Sequence, residues 1–192
     1  MNPKASTEPP GRIRIIGGEW RRRWLTIPSG SLLRPTADRV RETLFNWLGP
    51  YLPGSYCLDL FAGTGALGLE AVSRGAERAV LVENHPRIMQ QLKANVSNLK
   101  TDRVEFVELD ACCFIAASPS RRFDLVFLDP PFGTTLLTTV VPMITRAFLA
   151  PSALIYLESE REAPRIALPD GWRIMREGET RQTRYCLIET DI

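Results

Sequence analysis

Asp59-Leu60-Phe61-Ala62-Gly63-Thr64-Gly65-Ala66-Leu67-Gly68 stands between a short apolar run, Tyr56 to Leu60, and a helical segment, Ala66 to Arg74. A strand that runs through a glycine-rich turn into a helix is how an open α/β sheet offers backbone amides to a nucleotide-like ligand. The glycines remove Cβ atoms that would block a close approach. Gly63, Gly65 and Gly68 also spell G-x-G-x-x-G, so a dinucleotide site has to be weighed at this point.

The pattern repeats downstream. Ala79 to Val82, Val104 to Glu108, Asp124 to Leu128 and Leu154 to Leu157 read as strands. Helices are expected over Pro86 to Leu99, over Ala111 to Ala117 and, despite Pro142, over Thr135 to Phe148. Two last strands, Trp172 to Arg176 and Arg184 to Ile188, follow one another without a helix between them. Such alternation predicts a seven-stranded, mostly parallel Rossmann-like sheet flanked by helices, with an antiparallel hairpin at its C-terminal edge.

Upstream, Arg12 to Ile16 and Arg23 to Ile27 suggest a small β-hairpin with Gly17-Gly18 near its turn. Pro28 to Leu33 reads as loop. Thr36 is the expected N-cap of a helix to Leu48, with Val40, Leu44, Phe45, Trp47 and Leu48 on its apolar face. Residues 1–11 read as a disordered tail, 12–50 as the hairpin-and-helix unit, and 51–192 as the main domain.

Three carboxylates follow strand ends. Asp59 precedes the glycine loop, where it would repel a pyrophosphate but favour a cationic, methionine-type ligand. Glu83 closes the second strand and suits two ribose hydroxyls. Asp110 closes the third, within reach of an adenine amine. Each could accept charge-assisted hydrogen bonds from its part of S-adenosylmethionine, at roughly 1.5–3 kcal/mol apiece. Phe61, Gly63, Thr64, Gly65, Asn84 and Ala111 adjoin these acids and complete the expected cofactor set.

The fourth strand runs into Asp129-Pro130-Pro131-Phe132. Paired prolines fix φ and cannot donate to a ladder, so a rigid loop must begin there. Asp129 and the Pro130 carbonyl can accept both hydrogens of one NH₂ group, while Phe132 stacks on the attached ring. An aryl amine is a poor nucleophile because its lone pair is delocalised. Gripping both N–H bonds favours a pyramidal nitrogen aimed at a methyl donor, which is catalysis by positioning. The four residues would accept adenine as readily as guanine.

The 192 residues carry a net charge of only +2, with 44% hydrophobic and 24% charged residues. The charge is uneven: residues 1–50 hold nine Lys/Arg against four acids. A basic front end implies a polyanionic partner. Arg12, Arg14, Arg21, Arg22 and Arg23, interleaved with Trp20 and Trp24, are candidates for RNA contact, as are Arg34, Arg39 and Arg41. Arg39 or Arg41 could instead pair locally with Asp38 or Glu42. Four scattered cysteines and one histidine, His85, which is read as a capping or surface residue, suggest reduced thiols and no metal. No apolar stretch is long enough for a membrane span, so a cytoplasmic monomer is expected.

Together the residues resemble class I S-adenosylmethionine-dependent methyltransferases of the amino-modifying branch. The match is closer still to the RsmD-type enzymes that methylate a guanine N2 in small-subunit (16S) ribosomal RNA. The segments that carry it are Arg14-Ile15-Ile16-Gly17-Gly18-Glu19-Trp20-Arg21 and Arg34-Pro35-Thr36-Ala37-Asp38-Arg39-Val40-Arg41-Glu42-Thr43-Leu44-Phe45-Asn46-Trp47-Leu48, besides the two loops. It is loosest over Arg22-Arg23-Trp24 and Thr180 to Leu187. The resemblance implies that the Arg34–Arg41 segment covers the cofactor and meets RNA, and that the substrate is rRNA within a small-subunit assembly particle. Three other functions stay open from the residues themselves. They are an adenine-N6 DNA or RNA methyltransferase, an NAD(P)-dependent oxidoreductase, and a non-catalytic RNA-binding assembly factor.

Overall fold

A computed structural model describes residues 11–29, 37–117 and 121–191. Arg12–Arg14 (β1) and Trp24–Thr26 (β2) pair antiparallel with Ile13 opposite Leu25. Asp38–Leu48 (α1) ends in a 3₁₀ turn at Gly49–Tyr51. Then come Tyr56–Asp59 (β3), Ala66–Ser73 (α2), Arg78–Val82 (β4), Pro86–Leu99 (α3), Val104–Val107 (β5) and Ala111–Ala116 (α4). Phe123–Leu128 (β6), Leu136–Met143 (α5), Leu149–Glu160 (β7), Trp172–Glu179 (β8) and Thr183–Thr190 (β9) complete the order.

Seven strands form one sheet in the order β5-β4-β3-β6-β7-β9-β8. The first five are parallel, and β9 and β8 are antiparallel additions. The expected architecture is therefore present. The chain winds outward from β3 to β5, then returns to β6 on the other side of β3, which opens a crevice at the carboxyl ends of β3 and β6. Apolar side chains cover both faces of the sheet. One layer packs under the hairpin, α1, α2 and α3, the other under α4 and α5. The central strands β3 and β6 are accordingly near-continuous apolar runs.

Several element boundaries differ from expectation. Helix α5 stops at Met143, one residue after Pro142, well short of Phe148. Proline lacks the amide needed to continue the helical ladder and crowds the preceding turn. Strand β7 starts at Leu149, earlier than its apolar run suggests, because a register shift against Phe123–Leu125 and a left-handed Ser152 (φ +57°) accommodate Pro151 and Ser152. Helix α1 begins at Asp38, with Ala37 in the cap position and no side-chain cap. The expected cap Thr36, Arg34, the loop residues from Gly30 to Leu33 and residues 1–10 of the tail lie outside the described residues.

The hairpin unit is bolted to the sheet domain by polar groups that periodicity does not reveal. Glu70 of α2 is fully buried. Its carboxylate accepts hydrogen bonds from the Ile16 and Gly17 amides at 2.7 Å each and from Arg74 Nε at 2.7 Å. Arg41 Nη1 stands 3.7 Å from Glu70 Oε2, and Arg41 Nη2 donates to Asp38 Oδ1 and to the Arg14 carbonyl. Arg41 has no exposed surface. Its expected place at an RNA surface is thus corrected: it neutralises Glu70 inside the protein, since a buried carboxylate needs a paired cation. Gly18, at φ +75°, crosses so close to α2 that a Cβ would fall 1.8 Å from the Ser73 carbonyl oxygen. Asn95 of α3 makes the third tie: its Oδ1 accepts from the Thr26 amide while its Nδ2 donates to the Thr26 and Thr64 carbonyls. Through Asn95 the hairpin reaches the glycine loop itself.

Candidate active site

The crevice at the carboxyl ends of β3 and β6 is a cavity of about 620 Å³, within the usual range for small-molecule sites. Residues 59–64, Glu83, Asn84, Asp110 and Ala111 line one side, with Asp129 to Phe132 next to them. The predicted cofactor and base positions are thereby brought to one cavity, Gly65 excepted.

Asp59 ends β3 and is only 2% exposed. Its Oδ2 accepts from the Gly68 amide at 2.9 Å, at the opening of α2. Burial pushes its carboxyl up to about 7, and the charges of Asp129 and Glu83 push the same way, while the Gly68 amide opposes them. Glu83, just past β4, accepts from Gly63 N at 3.0 Å and from His85 N at 2.9 Å, so it also fixes the glycine loop. Asp110 caps α4: its Oδ1 accepts from the Cys112 and Cys113 amides. Helix capping and cavity lining thus coexist in one carboxylate. His85 is exposed at the N-cap position of α3, as read from the sequence.

The glycines divide their work differently from the motif's usual reading. Gly65 is not among the cavity-lining residues. It takes φ +80° to start α2, and a Cβ there would meet Leu92 Cδ1 at 2.6 Å. A Cβ on Gly68 would lie 2.3 Å from Leu81 Cδ2. Gly68 serves the close seating of α2 on β4, and Gly65 the packing of the start of α2 against α3, whereas Gly63 lines the cavity.

The Asp129–Phe132 loop is held at both ends. Asp129 follows the last residue of β6, Gly133 N donates to Glu160 Oε1 at 2.7 Å, and Thr134 Oγ1 donates to the Pro131 carbonyl at 2.8 Å. Pro130 is buried and Phe132 half-buried. Fixing the loop to the end of β7 gives the rigidity that positioning chemistry needs.

Sequence reasoning missed the far wall. Glu158 of β7 and Thr180 to Thr183, between β8 and β9, line the same cavity. Ala37 and Val40, within the Arg34–Arg41 segment that the resemblance implies covers the cofactor, reach it from the helix α1 end. Glu158 obeys the rule that singled out the other acids, a carboxylate at a strand's carboxyl end, and extending that rule to the fifth strand finds it. The β8–β9 residues carry no such signal. Asp59, Glu83, Asp110, Asp129 and Glu158 together make the cavity acidic. A pyrophosphate is unfavourable there, whereas a ligand with an ammonium and a sulfonium is favoured.

Arg12, Arg14, Arg21, Arg22, Arg23 and Arg39 are exposed. Trp24 is 57% exposed, but Trp20 is buried beneath Arg103, so the aromatic interleaving keeps one of its two tryptophans. All four cysteines are free. Among the described residues, no group of three or more His, Cys, Asp or Glu is arranged to hold a metal ion. No described helix is long and apolar enough to cross a membrane.

Comparison with known proteins agrees with this geometry. Residues 13–189 match the family model described as conserved hypothetical protein 95. The chain is 45% identical over 182 residues to ribosomal RNA small subunit methyltransferase D of Escherichia coli strain K12, covering 94% of this chain and 91% of that one. It is 41% identical to the Haemophilus influenzae protein of the same name, over 93% and 94% of the two chains. Among solved structures it resembles an Escherichia coli protein titled putative methyltransferase yhhF, at 43% identity and a TM-score of 0.86, covering 94% of this chain and 99% of the other.

Proposed function

The chain belongs to the family described as conserved hypothetical protein 95 and is a methyltransferase, and from that premise we propose that it carries a methyl group from S-adenosylmethionine to the exocyclic N2 of one guanine in small-subunit ribosomal RNA. The observation that carries this reading is the meeting, in one cavity, of the Asp129-Pro130-Pro131-Phe132 loop with the acids of three neighbouring strand ends. Full-length relatives named for ribosomal RNA of the small subunit support the substrate class. The exposed arginines of the hairpin support contact with an RNA backbone. We place its action in the cytoplasm, as a monomer on a small-subunit assembly particle.

Asp59, Gly63, Glu83 and Asp110 would hold the cofactor, with Phe61, Thr64, Asn84 and Ala111 beside them. The acidic lining and a ribose-facing carboxylate at the end of β4 suit its charge and its hydroxyls. When bound, it supplies an electrophilic sulfonium methyl group. The remaining work belongs to the chain. Asp129 and the Pro130 carbonyl accept the two N–H bonds of the guanine amine and hold its nitrogen lone pair toward the cofactor side of the cavity. Phe132 stacks on the purine, which leaves its RNA helix to enter. Once methylated, the nitrogen is strongly acidic, so its surplus proton leaves through Asp129 or water without a dedicated base.

The test is to incubate the protein with methyl-labelled S-adenosylmethionine and small subunits lacking the modification, then to digest the RNA and identify the labelled nucleoside. N2-methylguanosine at a single position is the expected product. Label in N6-methyladenosine would transfer the protein to the adenine reading, and absence of label in RNA would remove the proposal.

A further inference from the structure

A loop that grips an aryl amine does not distinguish guanine from adenine, yet the far wall of the cavity does hold a group suited to that choice. Glu158 lies on β7, next to β6. Their parallel register pairs Phe127 with Tyr156 and Leu128 with Leu157, so Asp129 and Glu158 continue side by side at the strands' carboxyl ends. Neighbouring strands run about 4.8 Å apart. Tyr156 and Glu158 share one face of β7, and the fully buried Tyr156 hydroxyl donates to Glu158 Oε2 at 2.6 Å. Glu158 is itself only 3% exposed, and it lines the cavity. Glu83 and Asp110 belong to β4 and β5, on the other side of β3 and β6. Across the sheet, then, the carboxylates suited to a cofactor end at β3, and Glu158 stands beyond the amine-binding loop, where the rest of the purine ring must lie.

The two purines differ beside their amine. In guanine the ring atom next to the C2 amine carries N1–H, a donor. In adenine the corresponding neighbour is N1 without hydrogen, an acceptor. A buried carboxylate facing N1–H gains a charge-assisted hydrogen bond. The same carboxylate facing a bare ring nitrogen loses its solvation and meets another acceptor. We propose that Glu158 selects guanine by accepting its N1–H, while Asp129 and the Pro130 carbonyl hold the adjacent amine. This assignment rests on the guanine-N2 reading above. Tyr156 acts through Glu158 as a positioning residue, holding one carboxylate oxygen so that the group keeps its orientation.

The experiment uses 2-aminopurine, which keeps the C2 amine and lacks N1–H. Small subunits are reconstituted with RNA bearing either guanine or 2-aminopurine at the mapped position, and single-turnover methylation is measured for the wild type, Glu158→Gln and Tyr156→Phe. The wild type should methylate guanine at least about a hundredfold faster than 2-aminopurine, since a site built for a hydrogen bond strongly rejects the analogue lacking it. Glu158→Gln, nearly isosteric and still able to accept from Tyr156, should slow guanine about a hundredfold. It should leave 2-aminopurine no slower, because the amide can donate to the bare N1, so that the ratio falls below about tenfold. Tyr156→Phe should reduce the ratio in the same direction and by less. Because 2-aminopurine also lacks O6, it is the collapse of the ratio in the variant, and not the wild-type ratio alone, that assigns the effect to Glu158.

Equal slowing of both substrates by Glu158→Gln would overturn the assignment, as would an unslowed reaction with guanine. If Glu158→Gln does not fold, a wild type that methylates 2-aminopurine as fast as guanine overturns it equally well. A wild type that methylates no guanine removes the functional reading itself. A wild type active on guanine beside a variant with an unchanged ratio removes only the role of Glu158.

Discussion

Replacing Asp59 by Asn tests whether the acid at the end of β3 recognises a cation, and the structure sets the size of the effect. Burial first, and the charges of Asp129 and Glu83 second, raise the Asp59 carboxyl to about 7, from an ordinary value of 3.8. A cationic ligand favours the ionised form, so binding must release a proton whenever the solution lies below that value. With a free-state value of about 7, the wild-type affinity for S-adenosylmethionine should fall by about tenfold at pH 6 and about a hundredfold at pH 5, each tenfold step being worth about 1.4 kcal/mol. Isothermal titration calorimetry between pH 5 and pH 7.5, in buffers of different ionisation enthalpy, reads both the affinity and the proton released. Asp59→Asn keeps an acceptor for the Gly68 amide but cannot ionise, so its weaker affinity should be flat over this window. Stability moves the opposite way. A carboxyl raised in the folded state favours folding fully below about pH 4, and that contribution is lost as pH rises toward 7. Ligand-free Asp59→Asn should therefore melt above the wild type at pH 8 and lose that advantage in acid. A wild-type affinity that is constant from pH 5 to pH 7.5, or an equal slope in the Asn variant, would refute the reasoning.

Three further outcomes rest on named side chains. Asp129→Ala should lower the single-turnover methylation rate at least about a hundredfold, as removal of an acceptor aligned on the reacting group should, with cofactor affinity by calorimetry changed by less than about threefold. Glu70→Ala removes the buried carboxylate facing Arg41 Nη1, leaving Asp38 as its remaining acidic partner, and strips the Ile16 and Gly17 amides and Arg74 of their acceptor; urea unfolding should show a drop in stability of about 3 kcal/mol. Arg21→Glu with Arg23→Glu should weaken RNA binding and flatten the plot of log affinity against log salt by roughly 0.7 for each phosphate no longer neutralised. The left-handed Arg22 (φ +70°) is left in place so that the turn is not disturbed.

The division between what a chain spells out and what only folding decides runs through particular residues here. The sheet was legible because its signals are local: apolar runs with strand length, a glycine turn after β3, and Pro130-Pro131 ending β6 all act on neighbouring backbone. The acids Asp59, Glu83, Asp110 and Asp129 were legible for a related reason. A carboxylate just past a strand's carboxyl end is carried to the crevice by topology alone, whatever its partners. The helix α5 boundary depends on how Pro142 is met by the turns around it, and the early start of β7 on a bulge against Phe123–Leu125. Neither leaves a periodic trace.

For the charged residues, the sequence by itself determined only that the front end is basic. Arg41 and Arg39 are two positions apart and look alike in the chain, yet one is sealed in and the other exposed, because Glu70, 29 residues past Arg41, occupies the same interior and must be neutralised. Gly65 and Gly63 likewise fit one motif, but only Gly63 faces the cavity, because the packing of Leu92 and Leu69 claims the space at Gly65. Glu158 follows the apolar run Leu154 to Leu157 and fits the rule for strand-end acids, but nothing local places it beside the Asp129 loop. It becomes a group facing the cavity only when β7 is laid beside β6 and its carboxylate comes level with Asp129. Local backbone chemistry determined the scaffold and the first four acids. Long-range charge pairing and strand register decided which of the remaining polar residues are exposed on the hairpin, which line the cavity, and which hold the protein together.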